Sequence, residues 1–99
     1  MAKLGIDFQD GFENDDVVVR VDGRELFRRS GMNTKRVLGL AGSNRYDVDD
    51  RTVSVDVSVP SRGIEHRFDV DATNDVYVGV SLAKDGIRTI VRGKPFGYG

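Results

Sequence analysis

Thr52-Val53-Ser54-Val55-Asp56-Val57-Ser58-Val59, followed by Pro60-Ser61-Arg62-Gly63 and then Ile64-Glu65-His66-Arg67-Phe68-Asp69-Val70-Asp71, decides the fold. Four valines alternate with Thr52, Ser54, Asp56 and Ser58, a period of two that one half-buried strand produces and no helix can. The Pro-Ser-Arg-Gly break supplies a turn, and the alternation resumes beyond it. Closing the hairpin on those four residues sets Val59 against Ile64, Val57 against His66, Val55 against Phe68 and Val53 against Val70 on one face. The other face then brings Asp56 to Arg67 and Ser58 to Glu65. A one-residue slip would send every valine to the wrong side, so this register is strongly specified.

Composition agrees with the hairpin. The 99 residues hold 31 of Val, Ile, Thr, Tyr and Phe, against 19 of Ala, Leu, Glu, Lys, Gln and Met, a bias toward side chains that fit a pleated surface. Aspartate outnumbers glutamate 13 to 3, and aspartate competes with helical backbone for hydrogen bonds. A chain of 10.9 kDa makes one domain, expected over 1–99, with room for one modest core.

A second hairpin is written in Asp16–Val21, Asp22-Gly23 and Arg24–Arg29, because Asp-Gly accepts the positive φ of a type I′ turn. An unbroken register opposes Val19 to Leu26, Val18 to Phe27, Arg20 to Glu25 and Asp16 to Arg29. A short helix capped by Asp22 and ended by Gly31 is the rival reading, disfavoured because the valine run needs a partner strand. A third hairpin joins Val76–Ala83 to Ile87–Arg92, with Val80 opposite Val91 or Ile90 according to the turn. Lys3–Phe8 and Arg36–Ala41 read as weaker strands. The expected fold is therefore an all-β antiparallel sandwich, Ig-like or jelly-roll, of seven to eight short strands. A small Greek-key barrel of the OB kind is the alternative. Residues 10–15 and 93–99 are expected to be the mobile segments.

Chemistry is sparse. There is no cysteine, hence no disulfide and no thiolate ligand. His66, the one histidine, falls on the apolar face between Ile64 and Phe68, where a core role outweighs general-base work. No Gly-x-Ser-x-Gly, phosphate loop or His-Glu-x-x-His occurs. A small hydrolase using loop carboxylates and His66 ranks last among the functions.

Asp47, Asp49, Asp50, Asp71 and Asp75 are the candidate metal ligands, with calcium as the ion that takes such oxygens. Their spacing does not match an EF-hand, and turn chemistry explains them more simply. Otherwise no cofactor is expected. Charge is segregated: residues 1–16 carry −4 and residues 24–45 carry +5, although the whole chain sums to −1. A basic face for single-stranded nucleic acid is disfavoured, since the aromatic residues do not interleave with the basic ones.

The favoured reading is a non-catalytic interaction module that binds a protein partner or its own copy. Its candidate contact residues are Val18, Phe27, Leu38, Leu40, Tyr77, Phe96 and Tyr98, apolar or aromatic groups that a simple two-layer pattern leaves outward. A carbohydrate- or small-ligand-binding β-module, calcium-assisted, comes second. No apolar run is long enough for a membrane span, and the opening residues lack the apolar core of a leader. The expectation is a cytoplasmic protein.

Overall fold

The computed structural model describes residues 1–98 and builds them into eight strands, β1 Ala2–Phe8, β2 Asp15–Val21, β3 Arg24–Met32, β4 Gly42–Val48, β5 Thr52–Val59, β6 Ile64–Asp71, β7 Val76–Ala83 and β8 Gly86–Arg92. They form two four-stranded sheets, sheet A in the order β4-β1-β7-β8 and sheet B in the order β3-β2-β5-β6. The architecture is a β-sandwich, with two separate sheets in place of a closed barrel. No helix among the described residues is long and apolar enough to cross a membrane.

The deciding hairpin has the register that alternation dictates: Val53 faces Val70, Val55 faces Phe68, Val57 faces His66 and Asp56 faces Arg67. Pro60–Arg62 form a single 3-10 turn, closed by Gly63 at φ 66°. Val53, Val55, Val57 and Val59 are buried together with Leu4, Ile6 and Phe8 of β1 and Val76, Val78, Val80 and Leu82 of β7. Phe8 lies in stacked contact with Phe27 at 5.2 Å and meets Phe12 edge-on at 5.8 Å.

Four expectations are corrected. In the β2–β3 hairpin Asp22 and Gly23 adopt positive φ as the turn requires, and Arg20 faces Glu25, but Val19 faces Phe27 and Val18 faces Arg28. Leu26 is the extra residue of a bulge, which lets Leu26 and Phe27, neighbours in sequence, both pack on the core. Arg36–Ala41 is not a strand. It is a turn closed by a Lys35–Leu40 bridge, with Gly39 at φ 65° and Val37 94% exposed. The strand lies just beyond, in β4, where Asn44, Tyr46 and Val48 alternate inward within what reads as an Asp-rich loop.

In the third hairpin the turn is Lys84-Asp85, so that Ala83 faces Gly86 and Val80 faces Thr89. The left-handed backbone falls on Gly86, φ 144°, after the turn and not within it. Finally, the sandwich is not wholly antiparallel: β1 pairs parallel with β7, Leu4 beside Val76 and Phe8 beside Val80.

The 10–15 stretch carries more ties than its composition suggests. Asp10 accepts from the Leu82 amide at 2.8 Å, Phe12 is buried, and the Phe12 amide donates to Thr34 Oγ1 at 3.1 Å. On the outer face of sheet B, Glu25, Arg20, Asp56 and Arg67 lie in a row across the four strands, charges alternating in sign.

Candidate functional site

The outer face of sheet A gathers the densest polar cluster. Alternation turns Lys3, Gly5 and Asp7 of β1 outward, and pairing sets Arg45 of β4 and Tyr77 of β7 on either side of Gly5. The next row places Ser43, Asp7, Gly79 and Ile90 in line across the four strands. Two mid-strand glycines thus leave a trough where neighbouring side chains lie flat. A Cβ at Gly5 would come within 2.5 Å of the Tyr77 ring, and one at Gly79 within 2.6 Å of Gln9 Oε1. The Arg45 guanidinium spans the same gap, 5.2 Å from the Tyr77 ring centroid.

Asp7 sits at the bottom, only 3% exposed although it points outward. Ser43 Oγ donates to its Oδ1 at 2.6 Å, Arg45 Nη1 donates to the same oxygen at 3.1 Å, and Tyr98 Oη donates to Oδ2 at 2.7 Å. Gln9 Nε2 donates to the Tyr98 oxygen at 3.0 Å, so the phenol gives one hydrogen bond and takes another. Burial, reinforced by the Asp7 carboxylate, holds the Tyr98 phenol above the usual tyrosine range. Arg92 reaches over Phe96 at 5.0 Å, and so the segment after β8 lies back across this sheet. Gly99 falls outside the described residues.

The candidate contact residues separate into three groups. Val18 faces outward from sheet B between Arg28 and Ser58, yet it is 3% exposed within the single chain. Phe27 is turned onto the core. Leu38 is exposed and Leu40 half-buried in the loop between β3 and β4, away from Tyr77, Phe96 and Tyr98, which belong to the sheet A face. Asp7, Gln9, Ser43 and Arg45 escape a reading by pattern, since β4 must first be recognised and set beside β1. The mid-strand glycines were the available signal.

The candidate metal ligands are not brought into one group. Asp47 pairs with Lys3, Asp49 with Arg51 and Asp50 with the Met1 amine, while Asp71 caps Thr73 and Asp75 accepts from the Lys3 amide. Among the described residues, no cluster of three or more histidine or carboxylate groups could hold an ion. His66 is stacked on Phe68, ring centroids 5.1 Å apart. Its side chain lines a shallow open groove between Gly63–His66 and Asp85–Arg88, where β6 and β8 run side by side.

That side of the sandwich is incompletely closed. On β8, Val91 lies opposite Val78 on the inner face and is still 51% exposed, and the inward-turned Ile64, His66 and Phe68 of β6 are only half-buried, while Ile90, 56% exposed, points from the outer face of sheet A. Both strands are sheet edges. No protein-family model matches the chain, and neither a curated protein nor a solved structure matches it.

Proposed function

We propose that the protein is a non-catalytic interaction module that associates with a second copy of itself through the β6–β8 side. The observation that carries this reading is the pair Ile90 and Val91, β-branched residues on opposite faces of the edge strand β8 and each more than half exposed. Such an edge offers unpaired backbone groups together with apolar side chains, the combination that recruits another strand.

Charge selects the partner. The edge of β6 presents Glu65, Asp69 and Asp71 against one Arg67, whereas β8 presents Arg88 and Arg92. A two-fold axis laying β8 of one copy along β6 of its mate makes this complementary contact twice. Sedimentation velocity over a wide concentration range tests it. A dimer that weakens with salt is expected, with the double variant Ile90→Lys/Val91→Lys remaining monomeric and folded. Wild-type protein that is monomeric at high micromolar concentration overturns the reading.

A further inference from the structure

We propose that the trough on the outer face of sheet A is a docking site for an extended segment bearing a tyrosine hydroxyl. Tyr98 occupies it in cis, and the same segment of a second copy is the partner admitted when residues 94–98 lift. Only the identity of that partner rests on the self-association reading above.

The site is built, not incidental. Its anchor is Asp7, buried at 3% exposure, with Ser43 and Arg45 satisfying one carboxylate oxygen from within the sheet. The other oxygen takes its hydrogen bond from Tyr98, 91 positions along the chain. A buried carboxylate left without that donor is costly, so the trough has a standing demand for a hydroxyl. Gln9 supplies the complementary donor at 3.0 Å, which selects a group that both gives and accepts. Glycine at positions 5 and 79 lets the Tyr77 ring, with Arg45 over it, and the Gln9 amide lie flat on the sheet and form the floor.

The occupant, by contrast, is lightly held. Among the described residues, the hydrogen bonds of 93–98 are the two made by the Tyr98 hydroxyl. Phe96 is half-buried and Tyr98 is 37% exposed. Gly93 and Gly97 flank the contact in open space, where an added Cβ would meet nothing within 4 Å. Six residues from Arg92 to Tyr98 reach about 20 Å, while β1 lies two strand spacings from β8, about 10 Å. The segment therefore has slack to swing away, and local opening of so few contacts is frequent compared with global unfolding. An identical segment from a neighbour makes the same contacts, so concentration decides which copy occupies the trough.

The test uses a chain shortened after Gly93 and, as probe, a fluorescent peptide of residues 93–99. Saturable binding is expected, with the peptide carrying Tyr98→Phe at least about tenfold weaker because the hydroxyl contacts are worth that much. The full chain should bind the probe at least about tenfold more weakly than the shortened one, since its own segment competes. Equal affinity for the Tyr and Phe peptides, or no saturation in millimolar peptide by a shortened chain that retains its sheet circular dichroism, overturns the proposal. Should the shortened chain not fold, the full chain with Tyr98→Phe replaces it. That variant must take the probe more tightly than wild type, and equal binding overturns the site. Probe binding is read on monomers, whereas failure of the β6–β8 contact appears only in sedimentation, so the two ideas fall separately.

Discussion

Arg62 clasps Asp15 with two nitrogens, Nε at 2.9 Å from Oδ1 and Nη2 at 2.8 Å from Oδ2. The contact ties the turn between β5 and β6 to the first residue of β2. Ser61 Oγ adds a third bond to the carboxylate, the Glu13 amide a fourth, and Arg62 Nη2 also reaches the Gly11 carbonyl at 2.8 Å. Burial pushes the Asp15 carboxyl upward, but Arg62, the Glu13 amide and Ser61 outweigh it, and the group is held below the ordinary aspartate range.

A lowered folded value means that the ionised group stabilises the fold above the unfolded range, near pH 4, and that this contribution is lost as pH falls through the folded value. Arg62→Ala is expected to cost about 1–3 kcal/mol at pH 7, with each kcal/mol lowering Tm by roughly 4–8 °C. The acid limb of its stability profile should also be shallower than that of wild type. Thermal melts between pH 7 and pH 2.5 check both, and parallel acid limbs would show that the clamp contributes nothing.

Asp56 is the counter-example. It is 7% exposed, its Oδ1 has no hydrogen-bond partner, and its one bond, from Arg67 Nη2, is 3.4 Å long. Asp56→Asn should therefore cost less than about 1 kcal/mol, whereas Asp15→Asn costs clearly more. Urea melts of the two variants give the comparison. A larger loss at Asp56 would show that the charge row on sheet B matters more than its geometry indicates.

Gly11 occupies φ 89°, and a Cβ there would fall 2.1 Å from the Leu82 carbonyl oxygen. Backbone cannot give way as a side-chain tip can. Gly11→Ala is expected to destabilise by more than about 3 kcal/mol, strain and overpacking acting together. Gly79→Ala, which meets only the movable end of Gln9, should cost far less. Soluble yield and Tm of the pair decide the matter.

Calcium at millimolar concentration is expected to leave Tm unchanged, because Asp47, Asp49 and Asp50 are engaged with Lys3, Arg51 and the Met1 amine. Specific binding would raise Tm as the ion concentration passes its Kd. Scanning calorimetry with calcium and with chelator distinguishes the two outcomes.

Tyr98 gives a prediction at the alkaline end. Its phenol is raised above the ordinary value of 10.0 by burial and by Asp7, so docking is fully present below pH 10 and is lost as pH climbs through the higher folded value. Ring resonances of Tyr98 followed by NMR should titrate above those of a free tyrosine and move to the unbound position in the Asp7→Asn variant. Titration at the free value would show the phenol undocked.

How far the sequence speaks depends on how local the determinant is. The β5–β6 register was fully legible, since Val53 to Val59 and Ile64 to Val70 alternate in phase across a four-residue break. Leu26 was not, because a bulge trades ladder regularity for one more buried side chain and leaves no mark in the alternation. Strand β4 was hidden by its inner face, where Asn44 and Tyr46 stand in place of aliphatic residues, while Val37-Leu38 looked apolar enough to be a strand and lies in solvent. The sheet A cluster was out of reach for a related reason. Asp7 meets Ser43, Arg45 and Tyr98 only through pairings that span most of the chain.

The parallel pairing of β1 with β7 also orders events during synthesis. Sheet B is complete once Asp71 has been translated, but β1 has no neighbour on its second side until Val76–Val80 leaves the ribosome. Leu4, Ile6 and Phe8, made well before β7, must wait for that moment before their burial is finished. Until β7 arrives, the nascent β1 offers that apolar face to holdase chaperones and to other unfinished chains.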